Sequence, residues 1–357
     1  MNRLRNSLSF ACLLAWVGIF AAVGEKVPST FPANYGYGFV GAEFLYMAAD
    51  QDGLSYAWTF PEIYPAAIGH YNRQGPLPNG TSHDVDFSWN PGFRLLAGYR
   101  FEAQSWEASL IWTYYQSHSQ SSASISSLAT DTLIATWFPA GFRMAAFVAE
   151  DASLSWTLHF NTLDLCLARS SFATSRVSID PYMAFTGAFI HQQVKSSYNN
   201  GSFLNQTGGG AGAENVSMSM QNNFDGWGLK PGVRTNWFLN KQWSLYANGA
   251  ASLLFGRFAT EQKGVMSGAA DLELLDAEDS FFQNAYAMEL AVGAKWAMFF
   301  NSQKRRLSVS VGYEMMSWFD QNQLFNYFFI DQAPGAGQPS QGDLGLQGIN
   351  ASMQVDF

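Results

Sequence analysis

The sequence predicts a single transmembrane antiparallel β-barrel of about ten strands, with short periplasmic turns and long extracellular loops. Three observations predict this fold. Apolar and polar residues alternate over ten segments, the connections between the segments are alternately short and long, and the chain ends inside the last segment, at Phe357. A period of two is typical of β-strands, because successive side chains leave a strand on opposite sides.

The N-terminal residues have the pattern of a secretory signal peptide. Arg3 and Arg5 precede an apolar stretch that ends in small residues at Gly24. Export signals combine a basic start, an apolar core and a small-residue cleavage site. We therefore expect residues 1–24 to be a cleaved signal peptide and residues 25–357 to form the barrel.

Each of the ten segments has one apolar and one polar face. In the second segment, for example, Trp89, Phe93 and Leu95 alternate with polar residues that include Arg94 and Arg100. The segments are residues 37–49, 85–102, 105–117, 153–167, 177–189, 227–237, 243–255, 286–298, 307–315 and 349–357.

The fourth segment changes phase. Leu154, Trp156, Leu158 and Phe160 alternate with polar residues, but after Thr162 the apolar residues occupy the other parity. A one-residue β-bulge near Thr162 would keep all of these apolar side chains on the same face. The sequence therefore predicts a bulge at this position.

The connections fall into two classes, which would lie at opposite ends of a barrel. The short ones are near residues 103–105, 169–176, 238–242 and 300–305. The long ones cover about 50–83, 118–151, 193–223, 263–282 and 321–343, and they are rich in Gly, Asn, Ser and Pro, which is typical of loops.

The composition favours a membrane location. Charged residues make up 13% of the chain, against roughly 25% in soluble domains. Beyond the N-terminus no apolar run reaches the roughly 18 residues of a transmembrane helix. A soluble sandwich of two sheets also has alternating strands, but a barrel with lipid outside and polar residues inside also explains the two classes of connection. The predicted aromatic girdles are formed by Trp89, Trp106, Trp237, Trp243 and Phe357.

Charge and cysteine content exclude several classes of function. The net charge is −9, and removal of Arg3 and Arg5 leaves 17 basic against 28 acidic residues, so nucleic acid is not an expected partner. Cleavage leaves Cys166 as the single cysteine, which precludes an internal disulfide. The five histidines lack metal-ligand spacing, and we expect neither a metal nor a cofactor.

Several segments resemble the Legionella-type major outer membrane protein family of pore-forming proteins. They are GYGFVGAEFLY, NTLDLCLARS, IDPYMAFTGAFIHQ, NNFDGWGLKPGVRTNWFLNKQWSLYANGAASLLFGRF, GYEMMSWFDQNQL and GDLGLQGINASMQVDF. Met353, Val355 and Phe357 are also similar to the C-terminal strand that the assembly machinery of Gram-negative outer membranes reads. The resemblance implies a bacterial outer-membrane location. The implied partners are the lipid bilayer with its lipopolysaccharide, the assembly machinery, and small solutes or ions.

The polar faces predict a lumen of mixed charge. Together with the resemblance, they favour a porin-like function, which is passive diffusion of ions and small polar solutes through a narrow lumen. Barrels of about eight strands hold only side chains, whereas about 16 leave a channel, so a plugged barrel that acts through its surface loops is an alternative. The predicted lumen-lining residues are Glu43, Asp86, Arg94, Arg100, Glu102, Glu107, Asp164, Asp180, Lys230, Arg234, Glu289, Lys295 and Glu314.

A remote alternative is an outer-membrane protease of the omptin type. His83, Asp84 and Asp86 cluster where the first long connection enters the second segment, and a histidine with an acid could activate a water molecule. No partner acid or histidine across the barrel is identifiable in the sequence. We therefore expect the protein not to be an enzyme.

Overall fold

The computed structural model describes ten stretches of the chain. They are residues 36–60, 80–101, 106–126, 131–138, 146–174, 176–204, 214–268, 271–300, 305–327 and 337–357. The predicted signal peptide and its cleavage site lie outside these residues. The described residues include no helix long and apolar enough to cross a bilayer.

Ten long strands form a closed antiparallel barrel, and the predicted fold class is confirmed. Each strand pairs with its neighbour in sequence, and β10 pairs with β1, so that Ala42 of β1 lies between Leu95 of β2 and Met353 of β10. The strands are β1 Tyr37–Gln51, β2 Trp89–Phe101, β3 Trp106–Ser124, β4 Asp151–Arg169, β5 Val177–Leu204, β6 Glu214–Phe238, β7 Trp243–Ser267, β8 Leu272–Phe300, β9 Arg305–Phe319 and β10 Leu344–Asp356.

The two ends of the barrel differ as predicted, but two predicted loops are mostly strand. Four short connections, the start of β1 and the end of β10 lie at one end of the barrel, the turn end. At the other end, the hairpin end, the predicted loop 193–223 is reduced to 205–213, and the predicted loop 263–282 is reduced to 268–271. Polar residues in these regions indicated loops, yet they alternate with inward-facing residues such as Val194 and Met218, which are buried.

The outer face changes from apolar to polar along the strands that extend farthest toward the hairpin end. On β3, Leu110, Trp112 and Tyr114 point outward, followed on the same face by Gln116, His118 and Gln120. The apolar part of this outer face forms a belt around the turn-end half of the barrel, which we call the apolar band. On β3 the apolar band runs from Trp106 to Tyr114, which is nine residues. A transmembrane strand needs roughly 9–11 residues.

The polarity of the interior changes in the opposite direction, from charged near the turn end to apolar near the hairpin end. The predicted β-bulge near Thr162 is wrong. Strand β4 pairs with β3 and β5 in unbroken register from Asp151 to Arg169. Leu154, Trp156, Leu158 and Phe160 are therefore not on the lipid face but point inward, where they are buried. Beyond the apolar band water surrounds the barrel, so polar residues face outward and apolar residues fill the inside.

The second segment also begins later than predicted. Residues 84–88 are outside any strand, and β2 begins at Trp89. Val85 is buried in the interior, and Phe87 packs against the same core. The outward-facing apolar residues of this segment therefore start at Trp89.

A small sheet covers part of the hairpin end, and we call it the cap sheet. It consists of strands Ala57–Phe60, Thr81–His83, Thr132–Ala135 and Ala146–Ala149, and it joins the barrel where Ser202 of β5 pairs with Val148. Ser171–Thr174 pairs with the start of β5, and Phe325–Tyr327 pairs with Gly337–Pro339.

Tyr198 of β5 fixes the cap sheet to the barrel. Its buried hydroxyl donates a hydrogen bond of 2.8 Å to the Tyr56 carbonyl and accepts one of 3.3 Å from the Trp137 amide. Burial raises the pKa of this hydroxyl above its ordinary value near 10. The cap therefore depends on a neutral tyrosine.

The position of the apolar band predicts opposite outcomes for two substitutions on the outer face of β3. Leu110→Arg places a charge in the bilayer and should cost roughly 2–4 kcal/mol of unfolding free energy. Gln120→Arg lies beyond the band on the same strand and should change it by less than about 0.5 kcal/mol. Guanidinium titrations in lipid vesicles measure both values, and equal costs would contradict the assigned band.

Tyr198→Phe should cost about 1–3 kcal/mol, because a buried amide and a buried carbonyl both lose a partner. The wild type should lose stability as the pH rises above 10, since the unfolded tyrosine ionises there while the folded one stays neutral. That loss should be smaller in the variant. Tyr286→Phe, whose ring lies half exposed on the outer face, is the control and should leave stability at neutral pH nearly unchanged. Identical pH profiles for wild type and Tyr198→Phe would contradict the role of Tyr198.

Candidate functional site

Among the described residues, the barrel interior holds three ion-paired clusters at the level of the apolar band, and a further ion pair between Arg306 and Asp356 lies at the turn end. In the first, the Arg94 cluster, the Arg94 guanidinium lies 2.9 Å from Glu43 Oε2 and 2.7 Å from Glu314 Oε1. Its Nε also donates a hydrogen bond of 3.0 Å to Thr113 Oγ1. Asn350 donates to Glu314 at 3.1 Å, so the buried charges have hydrogen-bond partners besides one another.

The second, the Lys230 cluster, has the most enclosed cation of the three. Lys230 Nζ lies 2.9 Å from Asp164 Oδ2 and 2.7 Å from Glu289 Oε1, and the side chains of Lys230 and Asp164 are 8% and 6% exposed. The other oxygen of Asp164 has no hydrogen-bond partner among the described residues. Removing the lysine would leave two buried carboxylates without a counterion.

The third, the Arg234 cluster, lies nearer the turn end. Glu107 accepts hydrogen bonds from Arg234 at 2.9 Å and from Arg100 Nε at 3.2 Å. Arg100 also donates to the Tyr37 hydroxyl at 2.6 Å. The side chains of Arg100 and Arg234 are 30% and 32% exposed, so water reaches this cluster from the turn end.

Each cluster includes contacts that reach into the lumen and join strands that are not neighbours. Arg94 on β2 reaches Glu314 on β9, and Arg234 on β6 reaches Glu107 on β3. Lys230 on β6 bridges β4 and β8. The side chains therefore fill much of the cross-section, as expected in a barrel not much wider than one of eight strands.

Apolar side chains fill the interior on the hairpin side of the clusters. Phe160 on β4 and Trp318 on β9 are fully buried, and their ring centroids lie 5.7 Å apart. Strands β4 and β9 are five positions apart in the ring of ten, so this contact spans the barrel diameter. Trp156, Phe224 and Phe258 belong to the same buried core.

The segment after β9 is folded into the mouth of the barrel at the hairpin end. The Asn222 side chain donates to the Gln321 carbonyl at 2.6 Å. The Gln262 side chain donates to the Phe325 carbonyl at 2.8 Å and accepts from the Phe325 amide at 3.0 Å. Gln321 and Asn322 are fully buried.

The structure brings eleven of the thirteen predicted lumen-lining residues into the barrel interior. Asp86 was wrongly assigned to the lumen: it is exposed outside β2, because the chain enters that strand only at Trp89. Glu102 lies outside the described residues. The residues on the inner face are Glu43, Arg94, Arg100, Glu107, Asp164, Asp180, Lys230, Arg234, Glu289, Lys295 and Glu314, of which Asp180 and Lys295 stand apart from the three clusters.

The predicted assembly residues lie at the turn end. Met353 and Phe357 point outward and are 55% and 56% exposed, and Val355 pairs with Val40 of β1 and Leu307 of β9. The sequence-based analysis missed the buried aromatic pair Phe160 and Trp318. The available signal was their parity, which places Phe160 on the same face as Asp164 and Trp318 on the same face as Glu314.

The structure does not bring His83, Asp84 and Asp86 together as a catalytic group. His83 Nε2 lies 2.8 Å from Thr59 Oγ1, and its ring packs near Tyr56. Asp84 and Asp86 are exposed. In the described part of the chain, no three His, Cys, Asp or Glu side chains are grouped so that they could hold a metal ion.

Lys230→Met should cost about 3–5 kcal/mol of unfolding free energy, because Asp164 and Glu289 would stay buried without a cation. Adding Asp164→Asn and Glu289→Gln to this variant should recover part of the loss. Lys241→Met, in an exposed turn, is the control and should have little effect. Denaturant titration in vesicles measures these values, and a neutral Lys230→Met would contradict the buried ion pairing.

Among solved structures, similar chains include the outer membrane protease OmpT from Escherichia coli, with 9% identity, coverage of 93% of this chain and 99% of that chain, and a TM-score of 0.41. A FadL homologue from Pseudomonas aeruginosa has 9% identity, 90% coverage of both chains and a TM-score of 0.23. The toluene transporter TodX from Pseudomonas putida has 7% identity, coverage of 92% and 91%, and a TM-score of 0.24.

No curated protein matches the chain significantly. The family described as Legionella pneumophila major outer membrane protein precursor matches residues 30–357, which is nearly the whole chain. The protein is therefore an outer-membrane β-barrel that belongs to the Legionella major outer membrane protein family.

Proposed function

We propose that this protein is a closed outer-membrane barrel that acts through the structure at its hairpin end, and that it is not an open diffusion pore. The observation that carries the proposal is the contact between Phe160 and Trp318, whose rings meet across the barrel diameter at 5.7 Å. A solute that crosses the barrel would have to displace this pair. Among the alternatives that the sequence left open, the geometry thus favours the plugged barrel.

The charges of the interior support the same proposal. Two clusters each join two acids to one base, and the third joins one acid to two bases, so five acids face four bases. Charges that line a water path attract mobile ions, whereas these charges are paired with one another. Separating one pair in a poorly hydrated interior would leave a buried charge uncompensated, which is costly.

The hairpin end offers a large structure on which a surface function can reside. On β5 the outward face becomes polar at His191, and the strand continues to Leu204. The part of the strand from His191 to Leu204 contains 14 residues. At about 3.3 Å per residue this is roughly 45 Å of strand beyond the apolar band. Strands β6, β7 and β8 extend with it as one sheet.

We propose no catalytic role for His83. The hydrogen-bond partner of His83 is the Thr59 hydroxyl, which cannot act as the acid that a histidine general base needs for orientation. We therefore propose that His83 is a structural residue of the cap sheet.

Planar bilayer recordings test the proposal. Purified wild-type protein should insert without passing ions, because the aromatic core and the paired charges fill the lumen. Protease protection of the inserted protein controls for failed insertion. Steady single-channel currents from the wild type at low protein load would overturn the closed barrel and would restore the diffusion pore.

A further inference from the structure

One strand of the extended sheet has an open edge. Strand β8 pairs with β7 along nearly its whole length, from Trp296 to Leu272. Its pairing with β9 stops at Tyr286, which lies opposite Phe319. Among the described residues, the segment 272–285 therefore has a neighbouring strand on one side only. We call this segment the β8 edge.

The edge is open because the chain turns away after β9. Asp320 has a φ of 51°, in the left-handed region, and the residues that follow it leave the sheet. The side chains of Asn222 and Gln262 then hold residues 321–325 over the mouth of the barrel. The chain that could have continued the sheet is thus used to cover the mouth.

The β8 edge is exposed and acidic. Alternate residues of an edge strand direct unpaired N–H and C=O groups outward, which makes the strand a template for a further strand. Lys263 on β7 pairs with Glu261 and lies 4.0 Å from Asp276. The exposed acids in and beside the edge are Asp271, Glu273, Asp276, Glu278 and Asp279.

We propose that the β8 edge binds an extended, lysine- or arginine-rich segment of another protein by strand addition. Main-chain hydrogen bonds would supply affinity, and the carboxylates would select a basic segment. A second copy of this chain fits less well, since pairing two β8 edges would bring five acids of each copy together. The inference deepens the proposed function, on which it rests, by naming the class of partner.

A peptide of twelve alternating lysine and threonine residues is a suitable probe. It should bind the full-length protein in nanodiscs, and a matching glutamate–threonine peptide should not. Changing Asp276 and Asp279 to Asn and Glu278 to Gln should weaken binding about tenfold or more, and added salt should weaken it as well. Asp151→Asn, an exposed acid elsewhere at the hairpin end, is the control and should have little effect.

Two N-methylated peptides separate strand addition from attraction between charges alone. One carries N-methyl groups on the odd residues and the other on the even residues, so that their charges are identical. Strand addition uses the N–H groups of one parity only, so one peptide should bind much more weakly than the other. Equal binding of the two would overturn the proposal.

Absence of binding by the unmethylated peptide would also overturn it. If an Ala277→Cys variant then formed disulfides between two copies, the edge would belong to a second copy. These outcomes are separate from the bilayer recordings: a silent bilayer with no peptide binding would remove this inference and leave the closed barrel in place, whereas channel currents would remove the closed barrel itself.

Discussion

The structure depends on one constraint, which is that ten strands close around a space about as wide as the side chains that point into it. Charged side chains on the inner face cannot be solvated as in bulk water and cannot point into lipid. They are accommodated by pairing with one another, as Arg94 does with Glu43 on the neighbouring strand and with Glu314 across the lumen.

The same constraint explains why both faces change polarity along the strands. Lipid surrounds the turn-end half, so apolar residues face outward and charges are enclosed. Water surrounds the hairpin-end half, so polar residues face outward and Trp156, Phe160 and Trp318 form an interior like that of a soluble protein. The cap sheet, held by Tyr198, and residues 321–325 then cover this apolar interior. The barrel is thus a membrane protein at one end and a soluble β-domain at the other.

The sequence predicted the strand count, the short turns and most of the inward charges, because a period of two fixes the face of each side chain wherever one solvent surrounds the strand. The prediction failed where the surroundings of a strand change from lipid to water. Leu154 to Phe160 looked lipid-facing because apolar residues were assumed to point outward throughout, and a bulge was needed to preserve that assumption. Asp86 was misplaced for a related reason, since Phe87 was read in phase with Trp89. The contacts across the lumen depend on closure of the barrel, which alternation within single strands does not encode.

Reactivity of the native Cys166 tests the central claim, a filled interior, most directly. Its side chain points into the barrel beside the Lys230 cluster and is 6% exposed. A small cationic methanethiosulfonate reagent, applied to the folded protein in nanodiscs and followed by mass spectrometry of the Cys166 peptide, should label it slowly, and labelling should become complete after denaturation. Rapid labelling in the folded state, at the rate of a free thiol in water, would contradict the filled barrel.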